Sequence, residues 1–164
     1  MGRFGFLLVP LLLCGCLTSK GRFLPAENAS TPLATGQYYR IEPGEPLPAL
    51  AGPFNLSRQG KIYTFSGGRD VLKFHLIRLV EGKDIYVAQV EPDSKKDEES
   101  VAILFGPLTK DGFCDYSDPA NLYPGVNSAG TIVSNDELRQ WLVGHVDEIT
   151  KKKKGVCWMK LKRD

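Results

Sequence analysis

Residues 71–90, VLKFHLIRLVEGKDIYVAQV, decide the fold class that this sequence predicts. Apolar and polar side chains alternate through the first part of the stretch, as they do in a strand with one buried face. The predicted buried face carries Leu72, Phe74 and Leu76, and the opposite face carries Lys73 and His75. Residues 81–84 (EGKD) are polar, contain a glycine and separate two β-type runs, which predicts a hairpin turn. We therefore expect antiparallel strands at 71–80 and 85–90.

Similar short segments lie on both sides of this hairpin. They are residues 38–41 (YYRI), 61–65 (KIYTF), 100–108, 112–116 and 156–162. Stretches rich in glycine, proline or charged residues separate them. About seven short strands with hairpin spacing predict a mainly β fold, either an antiparallel barrel or a sandwich.

One C-terminal helix is predicted before the last strand. Ser134 and Glu137 form a capping box, in which the two side chains satisfy free backbone amides at the start of a helix. The apolar residues that follow recur at helical spacing and are Leu138, Trp141, Leu142, His145, Val146 and Ile149. Lys151 to Lys154 place positive charge at the C-terminal end, and Gly155 ends the helix.

The composition is that of a single globular domain. Of the 164 residues, 42% are hydrophobic and 24% are charged, which are ordinary fractions for such a domain. The formal net charge of +2 is too small to indicate binding to nucleic acid, and we expect no nucleic-acid partner.

The N-terminus carries the most specific pattern in the sequence. Arg3 and the mostly apolar run at 4–13 are typical of a secretory signal peptide. The run is shorter than the roughly 20 apolar residues that a membrane-spanning helix needs. The sequence therefore predicts export from the cytosol.

The residues at the predicted cleavage site are Leu13-Cys14-Gly15-Cys16. They resemble the lipobox of bacterial lipoproteins, in which a leucine and a small residue precede an acylated cysteine, although Cys14 departs from the usual small residue. The resemblance implies a lipid on Cys16 and anchoring in the cell envelope. Because Leu17 and not Asp follows, it also favours the outer membrane, facing the periplasm. An ordinary cleaved signal is the alternative, but no small-x-small site follows the apolar run.

These patterns divide the chain into three parts. Residues 1–15 are a predicted signal peptide, 16–35 a lipidated tether and 36–164 a single β-rich domain. The tether is predicted because 17–35 contain Ser, Thr, Ala, Pro and Gly without sustained periodicity.

Two cysteines remain if Cys14 leaves with the signal and Cys16 carries lipid. An even number in an oxidising compartment predicts a disulfide between Cys114 and Cys157. Two buried free thiols are the alternative. A metal site is a weaker alternative, because no histidine neighbours either cysteine.

Candidate catalytic and metal-binding residues are few. His75 lies within a predicted strand, and His145 lies on the apolar stripe of the helix, where a packing role is the more common one. Asp111, Asp115 and Asp118 flank a cysteine, but their spacing does not match an EF-hand calcium loop. We therefore predict no catalytic residue, no metal and no cofactor.

The basic residues concentrate near the C-terminus. The possible binding surface predicted there comprises Lys151, Lys152, Lys153, Lys154, Trp158 and Lys160. Such a patch could contact anionic lipid headgroups, a glycan or an acidic protein. The alternative is a helix end and a strand face that are merely solvated.

Three functions stay open on the sequence. The first is a non-enzymatic binding or accessory module of the envelope, which would bind an envelope protein through the aromatic residues Tyr38, Tyr39, Tyr63, Tyr123 and Trp158. The second is a carrier of a small apolar ligand, because a β-barrel covered by a helix is similar in architecture to the lipocalins. The third, with the least support, is a hydrolase that uses His75 or Asp115.

Overall fold

The computed structural model describes residues 17–42, 49–67, 70–92, 99–109, 112–115, 123–151 and 156–160. The strands are β1 (Leu17–Ser19), β2 (Ala29–Ser30), β3 (Gly36–Glu42), β4 (Ala49–Gln59), β5 (Ile62–Gly67), β6 (Asp70–Arg78), β7 (Ile85–Val90), β8 (Glu99–Thr109), β9 (Gly112–Asp115), β10 (Thr131–Ile132) and β11 (Cys157–Met159). The helices are α1 (Asn135–Gly144) and α2 (Val146–Lys151), and a short 3-10 turn spans Ala26–Asn28. The predicted fold class, mainly β with a C-terminal helical region before the last strand, is confirmed.

The strands form a curled, barrel-like antiparallel sheet. Strands β3 to β9 pair in chain order, β11 pairs with both β9 and β3, and these pairings form a ring of eight strands. Strand β1 pairs with the first part of β8, on the edge that β9 occupies further along, and β10 pairs with β1 in parallel. The N-terminal strand therefore joins the wall at a fork between β8 and β9.

The hairpin predicted at 71–90 is confirmed. Strands β6 and β7 pair from Phe74↔Val90 to Arg78↔Tyr86, and the amide of Lys83 donates to the carbonyl of Val80 across the turn. Gly82 has a φ of 73°, a conformation that residues with a side chain rarely adopt. The turn chemistry and the alternating pattern thus agree on one register.

The ring packs against apolar residues on both of its faces. The inner core, enclosed by the ring, consists of Leu33, Tyr38, Leu56, Tyr63, Phe65, Phe74, Leu76, Tyr86, Ala88, Val90, Phe113 and Trp158. The outer core lies between the β6–β7 wall, the N-terminal residues and the helices, and consists of Leu17, Phe23, Leu24, Ala29, Ile77, Leu79, Ile85, Val87, Tyr123, Ile132, Leu138, Leu142 and Val146. Strand β7 belongs to both cores, and all six of its residues are buried.

The N-cap of α1 is the predicted one, but the second half of the capping box does not form, because the amide of Ser134 donates to the carbonyl of Gly125 at 3.1 Å and not to the side chain of Glu137. Ser134 is the N-cap, and its hydroxyl accepts from the amide of Glu137 at 3.4 Å. Leu138 and Leu142 are fully buried against the outer wall. The helical region predicted from Ser134 to Gly155 is interrupted once, because α1 ends at Gly144 and α2 begins at Val146.

The N-terminal segment, residues 17–35, is not a loose tether. Phe23, Leu24, Ala29 and Leu33 are all buried, and the segment contributes β1 and β2 to the sheet. The prediction of a tether at 16–35 is therefore wrong for residues 17–35, because their apolar side chains complete the two cores. The predicted signal peptide at 1–15 and Cys16 lie outside the described residues.

Strand β4 was not predicted, because Gly52 and Pro53 interrupt its pattern. The two residues sit where the pairing of β3 and β4 shifts register, between Tyr38 and Arg40. Proline is tolerated at such a bulge, where no ladder hydrogen bond is needed from its nitrogen. At Gly52, with a φ of 135°, a Cβ would lie 3.1 Å from the carbonyl oxygen of Tyr38, so the bulge requires glycine.

Candidate functional site

A polar cleft lies between the N-terminal segment and the outer wall of β6 and β7. We call it the outer cleft. Its volume is about 240 Å³, and it is lined by Arg22, His75, Gln89, Val90, Glu91 and Pro92. The cleft thus combines a guanidinium, an imidazole and a carboxylate at one place on the surface.

Strand register brings these side chains together. His75 and Gln89 are paired across β6 and β7 and both point away from the inner core. Past the end of β7, the amide of Glu91 donates to the carbonyl of Lys73 at 2.8 Å. The carboxylate of Glu91 is thereby held beside the imidazole, with Oε1 3.5 Å from Nε2 of His75.

Gln89 fixes the other side of the outer cleft. Its side chain is buried, with 2% of the residue exposed. The carbonyl Oε1 accepts from the amide of Leu24 at 2.6 Å, and Nε2 donates to the carbonyl of Leu24 at 3.0 Å. This pair of hydrogen bonds holds the backbone two residues after Arg22 against the wall.

The imidazole of His75 is mostly enclosed, with 13% of its side chain exposed. Its Nδ1 is buried and has no hydrogen-bond partner among the described residues. Such buried nitrogens are uncommon in folded proteins, since an unmet polar group costs about 1–3 kcal/mol. This nitrogen is the reason to consider His75 as part of a site.

A second cleft of about 370 Å³ lies further along the same wall, lined in part by Arg78, Glu81 and Arg139. The guanidinium of Arg78 donates to the hydroxyl of Tyr86 through Nε at 3.1 Å and Nη2 at 2.6 Å. This hydrogen bond raises the pKa of Arg78 above its ordinary value. Because Arg78 hydrogen-bonds the hydroxyl of Tyr86, a residue of the inner core, we assign Arg78 a structural role.

No protein-family model, no curated protein and no solved structure matches this chain. Within the described part of the chain, no helix has the length and apolar character needed to cross a membrane.

The predicted disulfide is present. Cys114 and Cys157 face each other on β9 and β11, with an S–S distance of 2.06 Å. The surface position predicted for Trp158 is wrong, however. Trp158, not Cys157, points into the inner core, and Trp158 is only 5% exposed, because its ring completes an aromatic cluster.

Only two residues of the predicted basic surface, Trp158 and Lys160, have described side chains. Trp158 cannot belong to it, because the residue is buried. Lys160 has a different role: its ammonium donates to the carbonyl of Thr35 at 2.6 Å and lies 5.5 Å from the ring centre of Tyr38. Lys151 is the last residue of α2, and Lys152, Lys153 and Lys154 lie outside the described residues.

The aromatic residues proposed for partner binding are also mostly internal. Tyr38, Tyr63, Tyr123 and Trp158 are each at most 6% exposed, and only Tyr39 is partly accessible. Their prediction as an exposed binding surface is therefore wrong for four of the five. Strand periodicity alone could not say which face the ring would enclose.

The residues of the hydrolase hypothesis are far apart in the sheet. His75 lies on β6 and Asp115 on β9, and β7 and β8 separate these two strands. His145 stacks on Trp141 at 4.4 Å, and its Nδ1 lies 2.8 Å from the carbonyl of Trp141. Asp111 and Asp118 lie outside the described residues, and the described ones contain no group of three or more metal-binding side chains.

Little in the sequence predicts the outer cleft. His75 is a candidate on the sequence alone, but Arg22 lies in the predicted tether and Glu91 in a charged stretch between two predicted strands. The strand at 85–90 is apolar except for Tyr86 and Gln89. A buried glutamine at such a position was the available signal, because buried amides need partners.

Proposed function

We propose that this chain is a lipid-anchored binding protein of a bacterial cell envelope, held through Cys16 and acting without catalysis. The observation that carries the proposal is the disulfide between Cys114 and Cys157. Disulfides persist in oxidising compartments such as the periplasm and are rare in the cytosol. This agrees with the address that the lipobox-like residues Leu13 to Cys16 imply.

The packing of the ring supports binding on the outside of the molecule. The inner core is occupied by the protein's own aromatic rings: Trp158 lies 4.8 Å from Phe65 and 5.0 Å from Phe54, and Tyr63 lies 5.5 Å from Phe74. The outer cleft, in contrast, presents Arg22 and Glu91 at the surface. We therefore place the ligand or partner contact at the outer cleft.

Mass spectrometry of the mature protein tests the anchor. We expect protein purified from membranes of a bacterial host to begin at Cys16 and to carry acyl chains. Cys16→Ser should leave an uncleaved precursor without lipid. Cys14→Ser is the matched control and should be processed normally. A mature N-terminus that is unmodified, or that lies elsewhere, would falsify the anchor.

Site-specific photocrosslinking in intact cells tests the binding surface. A photoreactive residue at Glu91 should give a defined adduct with an envelope component. The same residue at the exposed Gln59 of β4 serves as the control and should give only background. Equal background at both positions would contradict binding at the outer cleft.

A carrier of a small apolar ligand is the second candidate. The observation in its favour is that the strand pairings form a ring of eight strands, the size that can hold one small ligand. A carrier should bind a fluorescent fatty-acid analogue in competition with co-purified lipid. A protein that releases no lipid on extraction and then binds no analogue is not a carrier.

A further inference from the structure

The β10 loop, defined as residues 123–134, forms a compact unit beside the N-terminal strand. Val126 and Ile132 form an antiparallel bridge. Within the turn, Oδ1 of Asn127 accepts from the amides of Ala129 at 3.0 Å and Thr131 at 2.9 Å. The amide of Val133 donates to the carbonyl of Gly125 at 2.8 Å. These bonds give the loop a defined shape.

The loop is unusual in its lack of charge. Residues 119–135 contain no Asp, Glu, Lys or Arg, in a chain of which 24% is charged. Asn127, Ser128 and Ala129 are exposed, and Val133 is 68% exposed. A surface of this kind can enter a lipid headgroup layer without removing a charge from water.

The loop is also fixed next to the proposed lipid attachment point. The amide of Thr18 donates to the carbonyl of Gly130 at 3.0 Å, and the hydroxyls of Thr18 and Thr131 are 3.2 Å apart. Cys16 is two residues before Thr18, so its Cα lies within about 8 Å of the Cα of Thr18. A lipid on Cys16 would therefore enter the bilayer close to the β10 loop.

We propose that the β10 loop is the face on which this protein rests against the lipid bilayer, with residues 127–130 in the headgroup layer. The inference rests on the proposed function, because the lipid on Cys16 brings β1 to the membrane. No spacer separates the anchor from the fold, since Leu17 is already part of β1 and is buried. Strand β4 lies four places from β8 around the ring, on the wall that faces away from the bilayer.

The bilayer is preferred to a protein partner for this face because of the attachment geometry. A protein partner would have to share the loop with the lipid that emerges beside it. The described charge nearest to Cys16 along the chain is the exposed Lys20, and its ammonium suits the phosphates of lipid headgroups.

Two matched serine variants of the full-length protein test the orientation. Ser128→Cys lies in the turn of the β10 loop, Ser57→Cys lies on β4, and both positions are exposed. Each acylated variant is labelled with an environment-sensitive fluorophore and reconstituted into vesicles of phosphatidylethanolamine and phosphatidylglycerol. We expect blue-shifted emission at position 128 and quenching there by a spin-labelled lipid. At position 57 the emission should match that of a water-exposed label.

The outcomes separate this inference from the proposed function. Acylation is measured on the same samples by mass spectrometry. Acylated protein with equal quenching at both positions, or stronger quenching at 57, overturns the orientation and leaves the anchor intact. Absence of the lipid overturns both. Labels at 128 that are shielded in native envelopes but exposed in vesicles would identify a protein on this face and would also overturn the proposal.

Discussion

Gln89 is the residue on which the N-terminal half of the outer cleft depends. Its side chain replaces a strand partner for Leu24, since it satisfies both the amide and the carbonyl of that residue. Both bonds are buried, and water cannot take over either of them without entering the outer core. A single side chain therefore joins the N-terminal segment to the barrel wall.

We expect Gln89→Leu to lower the free energy of unfolding by about 2–4 kcal/mol, because it leaves two buried backbone groups of Leu24 unpaired. The measurement is urea-induced unfolding followed by fluorescence. Gln59→Leu, at an exposed position of β4, is the matched control and should change stability by less than about 0.5 kcal/mol. Similar effects at both positions would contradict the role assigned to Gln89.

Tyr63 performs the equivalent task at the end of the ring. Its hydroxyl accepts from the amide of Leu33 at 2.9 Å and donates to the carbonyl of Leu33 at 3.1 Å. Burial raises the pKa of Tyr63 above its ordinary value of 10.0, although the backbone hydrogen bond of Leu33 acts in the opposite direction.

The raised pKa of Tyr63 predicts a loss of stability at alkaline pH. As the pH rises above 10.0, the unfolded chain loses the phenolic proton while the folded chain keeps it, so the free energy of unfolding falls. We expect Tyr63→Phe to be less stable than the wild type at neutral pH but to lose less stability between about pH 8 and about pH 11. Parallel slopes of stability against pH in the two proteins would contradict this assignment.

Residue-level roles were the hardest to predict from the sequence. Gln89 and Leu24 are 65 positions apart, and nothing local in either segment indicates the other. Trp158 was assigned to the surface because an alternating strand has two faces, and the alternation does not say which one is enclosed. The cysteine pair was predictable because counting, compartment and disulfide chemistry need no knowledge of the fold.

At the scale of elements, β7 is the strand most sensitive to substitution. Tyr86, Ala88 and Val90 pack in the inner core, and Ile85 and Val87 pack in the outer core. Helix α1 covers the outer side through Leu138 and Leu142, which are both fully buried. Solvent therefore cannot fill a cavity that a smaller side chain would leave on either face of β7.

We expect Val87→Ala to destabilise the protein by about 2 kcal/mol, from lost burial and the cavity left behind. Val71→Ala is the same chemical change on the neighbouring strand β6, where the side chain is 64% exposed. It should cost less than about 0.5 kcal/mol. Thermal unfolding of the two variants side by side provides the measurement, and equal shifts in Tm would refute the double burial of β7.

Elements were predictable where their signals are local. The β6–β7 hairpin and the N-cap at Ser134 are both predictable. The turn lies within a few residues of the alternating strand pattern, and the cap lies within a few residues of the helical pattern. Strand β4 was missed because Gly52 and Pro53 indicate a loop unless the bulge opposite Tyr38 is known. The N-terminal segment has the pattern of a tether because its buried residues have no period of their own and depend on a wall formed later in the chain.

At the scale of the whole molecule, the disulfide closes a long loop across the helical region. Cys114 and Cys157 are 43 positions apart, and α1 and α2 lie between them. In the chain-entropy account, such a link restricts the unfolded chain and stabilises the fold by up to about 4 kcal/mol.

We therefore expect the double variant Cys114→Ser, Cys157→Ser to be less stable than the wild type by about 2–4 kcal/mol. Reductant should lower the urea midpoint of the wild type to a similar extent and leave the double variant unchanged. Insensitivity of the wild type to reductant under denaturing conditions would show that the bond does not contribute as described.

Gln89 and Tyr63, whose side chains hydrogen-bond the backbones of Leu24 and Leu33, are synthesised later than the residues that they hold. The N-terminal segment is synthesised before the strands on which it packs, and its partner Gln89 follows Leu24 by 65 residues. At synthesis rates of about 5–20 residues per second, that gap is roughly 3–13 seconds. During this interval Phe23 and Leu24 have no wall to cover, so the nascent segment is an exposed apolar stretch that a holding chaperone can bind until strands β6 and β7 form.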